Sequence, residues 1–448
     1  MLLDASAPTA VEQAEAVRRG ERTPVELVER ALQRLNEVDP TLSAFVAVAA
    51  ERALAEAAVL AAEAADARIR GPLHGVPVAV KDLFDVAGEV TGAGSRVPPT
   101  GRPAVVDAAA VARLRAAGAV VIGRTRTHEY AWGMTTQHAS LGGTRNPYDT
   151  GRTPGGSSGG SAVAVAAGVV SLALGTDTAA SIRLPAAWCG LVGHKPTHGA
   201  VDLTGVVPLA PSLDCGGAFV RTVGDARLAL SVLTGRPVVR RRNALTGLRI
   251  GLPVDPTAPA PDRGVAAVLA AAIARASDGG AELATGELPP CEVLRRALVA
   301  AQGSEAVAYH RSLGHWPDRA ADYGTDVRGR LEAAAALTAG DLEAGARDRR
   351  DVRRQVTALL AGVDVLVMPV AGAGPSRVDD PDRVAVDGRP AELREQVLPH
   401  TLLANLCGLP ACSVPIGLDQ DGLPVGLQVV GRPGADELVL DVAELLQR

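Results

Sequence analysis

Lysine is nearly missing from this 448-residue chain: of 45 basic residues only Lys81 and Lys195 are lysines, and the other 43 are arginines. Arginine keeps its charge in any protein, whereas a buried lysine can shed its proton and act as a base. A lysine that survives such a bias points to a task the guanidinium cannot perform; the alternative is a residue spared by chance. Aromatics are sparse too, at 2%, so an aromatic cage is not indicated. The five cysteines, Cys189, Cys215, Cys291, Cys407 and Cys412, make no CxxC pair or zinc spacing, and their odd number argues against a disulfide framework. The eight histidines show no metal spacing. His128, His138, His194 and His198 read as satisfied loop or core residues, and no metal is expected. A net charge of −5 leaves no electrostatic footprint for nucleic acid or an anionic membrane. The short run Arg240-Arg241-Arg242 does not change that. Long apolar runs are lacking as well. The longest, residues 162–174, is too short and too rich in small residues to span a bilayer, and Met1-Leu2-Leu3-Asp4 shows no basic-then-apolar leader pattern. The expectation is a cytoplasmic protein with reduced thiols and no membrane or nucleic-acid partner.

What the chain does have is a core. Hydrophobic residues make up 47% of it, normal for a globular protein, and the length suits two or three average domains or one large α/β domain. Residues 9–37 read as two helices, the second opened by Thr23-Pro24 with Glu26 three residues after Thr23, a capping pattern. Residues 45–68, rich in Ala and Glu, read as helix. From Pro72 onward, apolar β-branched runs (76–80, 119–122, 169–174) alternate with helical stretches such as 106–117, which implies a layered α/β sheet. Residues 253–398 turn Ala- and Arg-rich, with helices such as 342–360. They read as a helical excursion over the sheet with one strand, 363–369, inside it. Short strands and turns return from Thr401, and no repeat or linker splits the chain.

Lys81 ends the run Gly75-Val76-Pro77-Val78-Ala79-Val80-Lys81-Asp82, a buried-strand pattern in which a neutral amine can be kept. A second feature is Gly155-Gly156-Ser157-Ser158-Gly159-Gly160-Ser161, a glycine-rich loop entering a helix. Such a loop can cradle an anion, so a phosphate site is the rival reading. Yet the GK[ST] ending of a P-loop is missing, and so is GxGxxG followed by an acidic residue. Ser158 and Ser161 read as helix caps. Downstream stands Gly175-Thr176-Asp177-Thr178-Ala179-Ala180-Ser181-Ile182-Arg183-Leu184-Pro185. A helix of about 10 residues (~15 Å) followed by a strand of about 7 (~23 Å) makes an up-and-back path that allows Ser157 and Ser181 to meet.

Together these residues resemble the amidase signature family. The likeness rests on Lys81, Ser157 and Ser181 within the three segments just given. Thr144-Arg145-Asn146-Pro147 and Gly193-His194-Lys195-Pro196-Thr197 flank them. Asn405-Leu406-Cys407-Gly408-Leu409-Pro410 through Gly422-Leu423-Pro424-Val425-Gly426-Leu427-Gln428 matches near the end. The likeness covers nearly the whole chain and is weakest over 250–395. It implies one domain over 1–448, a three-layer α/β/α fold around a central mixed, mostly parallel sheet. Its parts would be N-terminal helices (1–70), a catalytic core (71–235), a variable helical segment shaping the substrate pocket (250–395) and a return to the sheet (400–448).

The resemblance further implies amide hydrolysis by a Ser–Ser–Lys triad without a cofactor: Ser181 as nucleophile, Ser157 as a bridging serine held by a cis peptide, and Lys81 as base. The chemistry is coherent. A serine hydroxyl attacks poorly until its proton is removed, and burial can lower a lysine from about 10.4 by up to ~3–5 units. Ser157 both donates and accepts, so it can pass the proton on. Backbone N–H groups of Thr178, Ala179, Ala180 and Ser181 would form the oxyanion hole. The segment Glu129 to Thr136 falls on the family's acyl-pocket wall, which sets Trp132 and Met134 against substrate or else in plain core packing. Asp177 and Arg183 read as a structural pair, and Lys195 as structural.

One residue pair departs from the family pattern, and one further residue from that of a subfamily. Ala179-Ala180 replaces the usual Gly-Gly or Ala-Gly, so a narrowed acyl site is expected, with strain of the order of 1 kcal/mol if either takes φ > 0. Leu184 stands where glutaminase subunits of tRNA-dependent amidotransferases typically carry Gln. The main expectation is an amidase acting on a small-molecule amide or carbamate substrate. Alternatives are a carbamate (urethane) or urea-type hydrolase, such a glutaminase subunit, or an inactive or acyl-transferring biosynthetic relative. A homodimer is an open expectation.

Overall fold

Side chains along a strand point alternately to its two faces, and that alternation organises the core. Val78, Val80, Val121, Leu172 and Leu174 enter one apolar cluster, while Ala79, Val120, Ile122 and Ala173, their neighbours in the same strands, enter another. Helices cover both faces: Ala10–Arg18, Ala109–Ala116, Val223–Thr234 and Asp436–Leu446 on the first, Pro24–Leu42, Ala50–Ala65 and Gly159–Ala166 on the second. The result is the expected three-layer α/β/α arrangement. The computed structural model describes every residue except Met1, Ala5 and Arg448.

Among the described residues, eleven strands form one mixed sheet. Their spatial order is Phe45–Val48, Val120–Thr125, Pro77–Lys81, Leu172–Asp177, Cys215–Val220, Val192–Lys195, Ala411–Leu418, Pro424–Val430, Val365–Pro369, Arg249–Val254 and Glu282–Glu287. Parallel pairing joins Val120–Thr125, Pro77–Lys81 and Leu172–Asp177. It also joins Val365–Pro369, Arg249–Val254 and Glu282–Glu287. Antiparallel pairing fills the stretch between. Strands from both ends of the chain share this sheet, so the fold is a single large α/β domain.

The first two helices begin as their sequence indicates, each with a reciprocal capping box, Thr9 with Glu12 and Thr23 with Glu26. Three expectations are corrected. Residues 45–68 are not helical throughout: Phe45–Val48 is an edge strand antiparallel to Val120–Thr125, and the helix spans Ala50–Ala65. Long-range pairing of a Phe-Val-Ala-Val run, suited to a pleated surface, overrides the Ala-rich context. The helix expected over 106–117 is Ala109–Ala116. Finally, 253–398 is not only a helical cover, because Arg249–Val254 and Glu282–Glu287 extend the sheet beyond Val365–Pro369. No helix among the described residues is long and apolar enough to cross a membrane.

Candidate active site

The parallel register Val80↔Leu174 brings the carboxyl ends of two neighbouring strands level, the edge at which open α/β sheets bind ligands. Lys81 ends one strand; Thr176 and Asp177 end the other. Lys81 is fully buried. Its Nζ donates to Ser157 Oγ at 2.8 Å, Ser158 Oγ at 2.7 Å and Thr176 Oγ1 at 2.8 Å. Among the described residues no carboxylate pairs with it. Burial lowers its pKa from the ordinary 10.5 to about 7, against the pull of the Asp177 and Asp214 charges.

Ser157 is set by glycines and by the chain that crosses them. The Gly156–Ser157 peptide is cis. A Cβ on Gly156 would stand 2.6 Å from Thr135 N and 2.8 Å from the Met134 carbonyl carbon, so only glycine lets the 129–136 segment cross so closely. Thr136 Oγ1 bonds Gly155 O at 2.9 Å and accepts from Gly159 N–H at 3.0 Å, and His128 N–H donates to Ser157 O at 3.0 Å. Within the crossing segment Tyr130, Ala131 and Thr136 hold positive φ, at a cost of the order of 1 kcal/mol each. The Tyr130 ring is wedged edge-on against His310, 4.4 Å between centroids.

The two neighbouring serines do not cap the helix. Ser158 makes no cap bond; its Oγ takes the Lys81 amine and donates to Thr176 O at 3.1 Å. Ser161 Oγ donates to Leu174 O at 2.8 Å and meets Thr125 Oγ1 at 2.7 Å. Both hydroxyls are fully buried, and a buried hydroxyl goes where unmet polar groups are.

Ser181 lies in the turn between Leu172–Asp177 and the helix Arg183–Trp188, with 7% of its surface exposed. Among the described residues its hydroxyl makes no hydrogen bond, and the N–H groups of Thr178, Ala179, Ala180 and Ser181 meet no acceptor. The next two amides are taken by Asp177 Oδ2, Ile182 N–H at 3.1 Å and Arg183 N–H at 3.3 Å. Neither Ala179 nor Ala180 has a positive φ, so the alanine pair carries no left-handed strain. Ala180 packs in an apolar cluster with Leu184, Trp188 and Val397.

A pocket of about 40 Å³ opens against Ser181. Residues 131–134, including Trp132 and Met134, form one wall and residues 178–181 another. Leu298 and Leu398 close it with apolar surface, and Gln302, Arg330 and Arg394 add polar groups. Arg330 is held by Asp326 through bonds of 2.7 to 2.9 Å, and Asp326 also meets His128 Nε2 at 3.0 Å.

The buried Asp177–Arg183 pair is structural in its contacts. Arg183 donates to both Asp177 oxygens at 3.0 and 3.1 Å, to Thr401 O and Gln428 Oε1 at 2.9 Å, to Ala179 O at 2.9 Å and to Asn405 Oδ1 at 2.6 Å. Burial opposes the Asp177 charge, but Arg183 prevails and the carboxyl stays below its usual range. Lys195 is buried and donates to Pro196 O at 3.0 Å and Cys215 Sγ at 3.5 Å. His138, His194 and His198 have polar partners within the fold. No group of three or more His, Cys, Asp or Glu among the described residues is placed to hold a metal.

Sequence reasoning missed Thr176 and Ser158 as partners of Lys81. It also missed Asp214, which accepts from Thr178 Oγ1 at 2.6 Å and from the Leu209 and Ala210 N–H groups at 2.9 Å. Burial raises this carboxyl to about 6. Its only sequence signal is a lone acid at the start of the strand Cys215–Val220.

A model of the Amidase family matches residues 26–440. This chain belongs to the amidase signature family. It is therefore an enzyme of carbon–nitrogen amide bonds. Among curated proteins, it is similar to a glutamyl-tRNA(Gln) amidotransferase subunit from Symbiobacterium thermophilum, 37% identical over 471 aligned positions that cover 96% of this chain and 94% of the relative. Among solved structures, it is similar to an amidase at 34% identity and TM-score 0.88, over 98% of this chain and 99% of that one. Native peptide amidase from Stenotrophomonas maltophilia matches at 31% identity and TM-score 0.82, over 99% and 96%.

Proposed function

We propose that this amidase cleaves a carboxylic amide through an acyl-enzyme on Ser181, with Ser157 relaying the proton to Lys81. One observation carries the reading: a buried amine, free of any carboxylate, 2.8 Å from the Ser157 hydroxyl. With its pKa lowered to about 7, roughly half of it is neutral at neutral pH. Ser181 gives its proton to Ser157 as Ser157 gives its own to Lys81, and the Ser181 oxygen bonds the carbonyl carbon. The N–H groups of residues 178–181 receive the developing oxyanion. The C–N bond then breaks as Lys81 returns a proton through Ser157 to the leaving nitrogen. Water repeats the relay to release the acid. The open Ser181 hydroxyl fits a substrate-free enzyme, in which catalytic hydrogen bonds often tighten only on binding.

Leu298, Gln302, Arg330 and Arg394 come from the 250–395 segment, which supports its role in choosing substrate. Two arginines, Arg330 and Arg394, line the same pocket as Ser181, which favours an acyl group that carries a carboxylate. Five free cysteines support a cytoplasmic setting.

A second reading is the glutaminase subunit of a tRNA-dependent amidotransferase. The curated relative's 37% identity favours it over a free-standing amidase, and glutamine's carboxylate suits Arg330 or Arg394. Leu184 in place of the usual Gln and the Ala179-Ala180 pair weigh against it. Carbamates and ureas form the same oxyanion and belong in the test. That test is ammonia and amine release over a panel of glutamine, other amides, carbamates and ureas, with Ser181→Ala and Lys81→Ala as controls. Turnover of glutamine alone, raised by a co-purifying partner, selects the second reading. Equal, negligible turnover by wild type and Ser181→Ala rejects both.

A further inference from the structure

Thr178 stands between two cavities. One is the pocket at Ser181; the other, of about 190 Å³, shares Ala131, Thr178 and Leu209 with it and extends away from the nucleophile. Leu203, Val206 and Val207 form its apolar wall, and Thr176 and Asp214 are its polar groups. Thr176 Oγ1 accepts from Lys81 Nζ, so one wall residue of this second cavity also holds the amine that the proposed mechanism uses to protonate the leaving nitrogen. An amide whose oxygen lies on the N–H groups of residues 178–181 directs its acyl and amine substituents to opposite sides of the carbonyl carbon. With the acyl side in the Ser181 pocket, the amine side faces this cavity.

We propose that this cavity is the leaving-group subsite and takes an apolar alkyl or aryl amine, with the Asp214 carboxylate receiving its N–H. The inference rests on the hydrolytic reading above. Its size is one support: a molecule the size of water needs only about 10–15 Å³ of such space, and the cavity holds about 190 Å³. Lone pairs are another. A carboxylate has about four acceptor sites, and the described residues fill three on Asp214, from Thr178, Leu209 and Ala210. Asp214 titrates at about 6, so it is ionised at neutral pH when a basic amine departs. A glutaminase releases ammonia and has no use for an apolar wall here.

The test compares primary, N-butyl and N-benzyl amides of whichever acid the enzyme releases fastest. In wild type the N-substituted amides have the higher kcat/KM. Leu203→Phe, which fills the cavity, lowers the ratio of N-butyl to primary kcat/KM at least tenfold, and Leu203→Ala shifts it toward N-benzyl. Moving the butyl group to the acyl side abolishes the response to both variants. Fluorophosphonate labelling of Ser181, read by intact mass, accompanies each assay. A labelled, active enzyme whose ratio is the same in all three forms overturns the subsite alone. Neither label nor turnover overturns the hydrolytic reading and the subsite with it.

Discussion

Lys81 Nζ and Ser157 Oγ are 2.8 Å apart inside a buried shell of hydroxyls. Only the neutral amine can accept a proton, and burial brings its pKa to about 7. The expected kcat/KM therefore rises with pH to a plateau, with half the effect near 7. Lys81→Arg keeps the charge and cannot deprotonate, so kcat should fall about 10³-fold or more, in line with loss of a catalytic base. A pH–rate profile of both forms decides the matter. A flat profile between pH 5.5 and 8.5 removes Lys81 as the base.

The same amine leaves a mark on folding. Unfolded, Lys81 titrates near its ordinary 10.5; folded, near 7. Between these values the unfolded chain holds a proton the folded chain lacks, so stability rises with pH. This contribution is fully present above 10.5 and is lost as pH falls through 7. Wild type should therefore gain on Lys81→Met by a few kcal/mol between pH 7 and 10, at about 1.4 kcal/mol per unit. Urea denaturation of both forms across that range measures the difference. Parallel stability curves would show an amine that stays charged.

Arg183 ties the Ser181 turn to the far side of the domain, through Asp177 and Ala179 on one hand and Thr401, Asn405 and Gln428 on the other. Lysine cannot reproduce this fork. Arg183→Lys keeps the cation beside Asp177 but gives up several of these bonds, at about 1.5–3 kcal/mol for each hydrogen bond to a charged group, seen as a lower urea midpoint. Because Ala179 O loses its tether, kcat should fall as well. Unchanged midpoint and kcat would reduce the pair to an ornament of the core.

Where the proposed chemistry is written in contiguous segments, the chain points to it. Lys81 stood out against 43 arginines, and Ser157 and Ser181 stood in glycine-rich or small-residue runs that few other tasks require. Contacts between distant segments stayed hidden. Ser158 has the local pattern of a cap, yet Lys81, 77 positions away, competes for its hydroxyl and wins. Phe45–Val48 becomes a strand only once Val120–Thr125 lies beside it. Glu282–Glu287 has no β-branched run and, at the sheet's edge, has no fully buried position. Arg330 gave no signal and Asp214 only that of a lone acid before a strand, one arginine among 43 and one acid among 50 until the fold sets them beside Ser181's pocket and turn.

Arg330 offers the sharpest test of what the pocket accepts. Arg330 lines the Ser181 pocket while both Asp326 oxygens hold its guanidinium in place. Asp326 titrates at about 2; burial resists its charge, but hydrogen bonds from His128 and Arg330 and their charges outweigh that. His128 in turn holds Ser157 O through its backbone N–H, so the helix Thr325–Ala335 and the serine loop share one polar chain. A cation fixed this way should bind a substrate carboxylate equally in the ground and transition states. Arg330→Gln is then expected to raise KM for a carboxylate-bearing amide about 10- to 100-fold with little change in kcat, the range of a charge-assisted hydrogen bond worth roughly 1.5–3 kcal/mol. Arg330→Lys should fall between, having lost the planar fork. A matched neutral amide should show no KM change in either variant. Steady-state kinetics on the two amides measures this split, and equal KM increases for both would mean that Arg330 props the pocket rather than binding an anion.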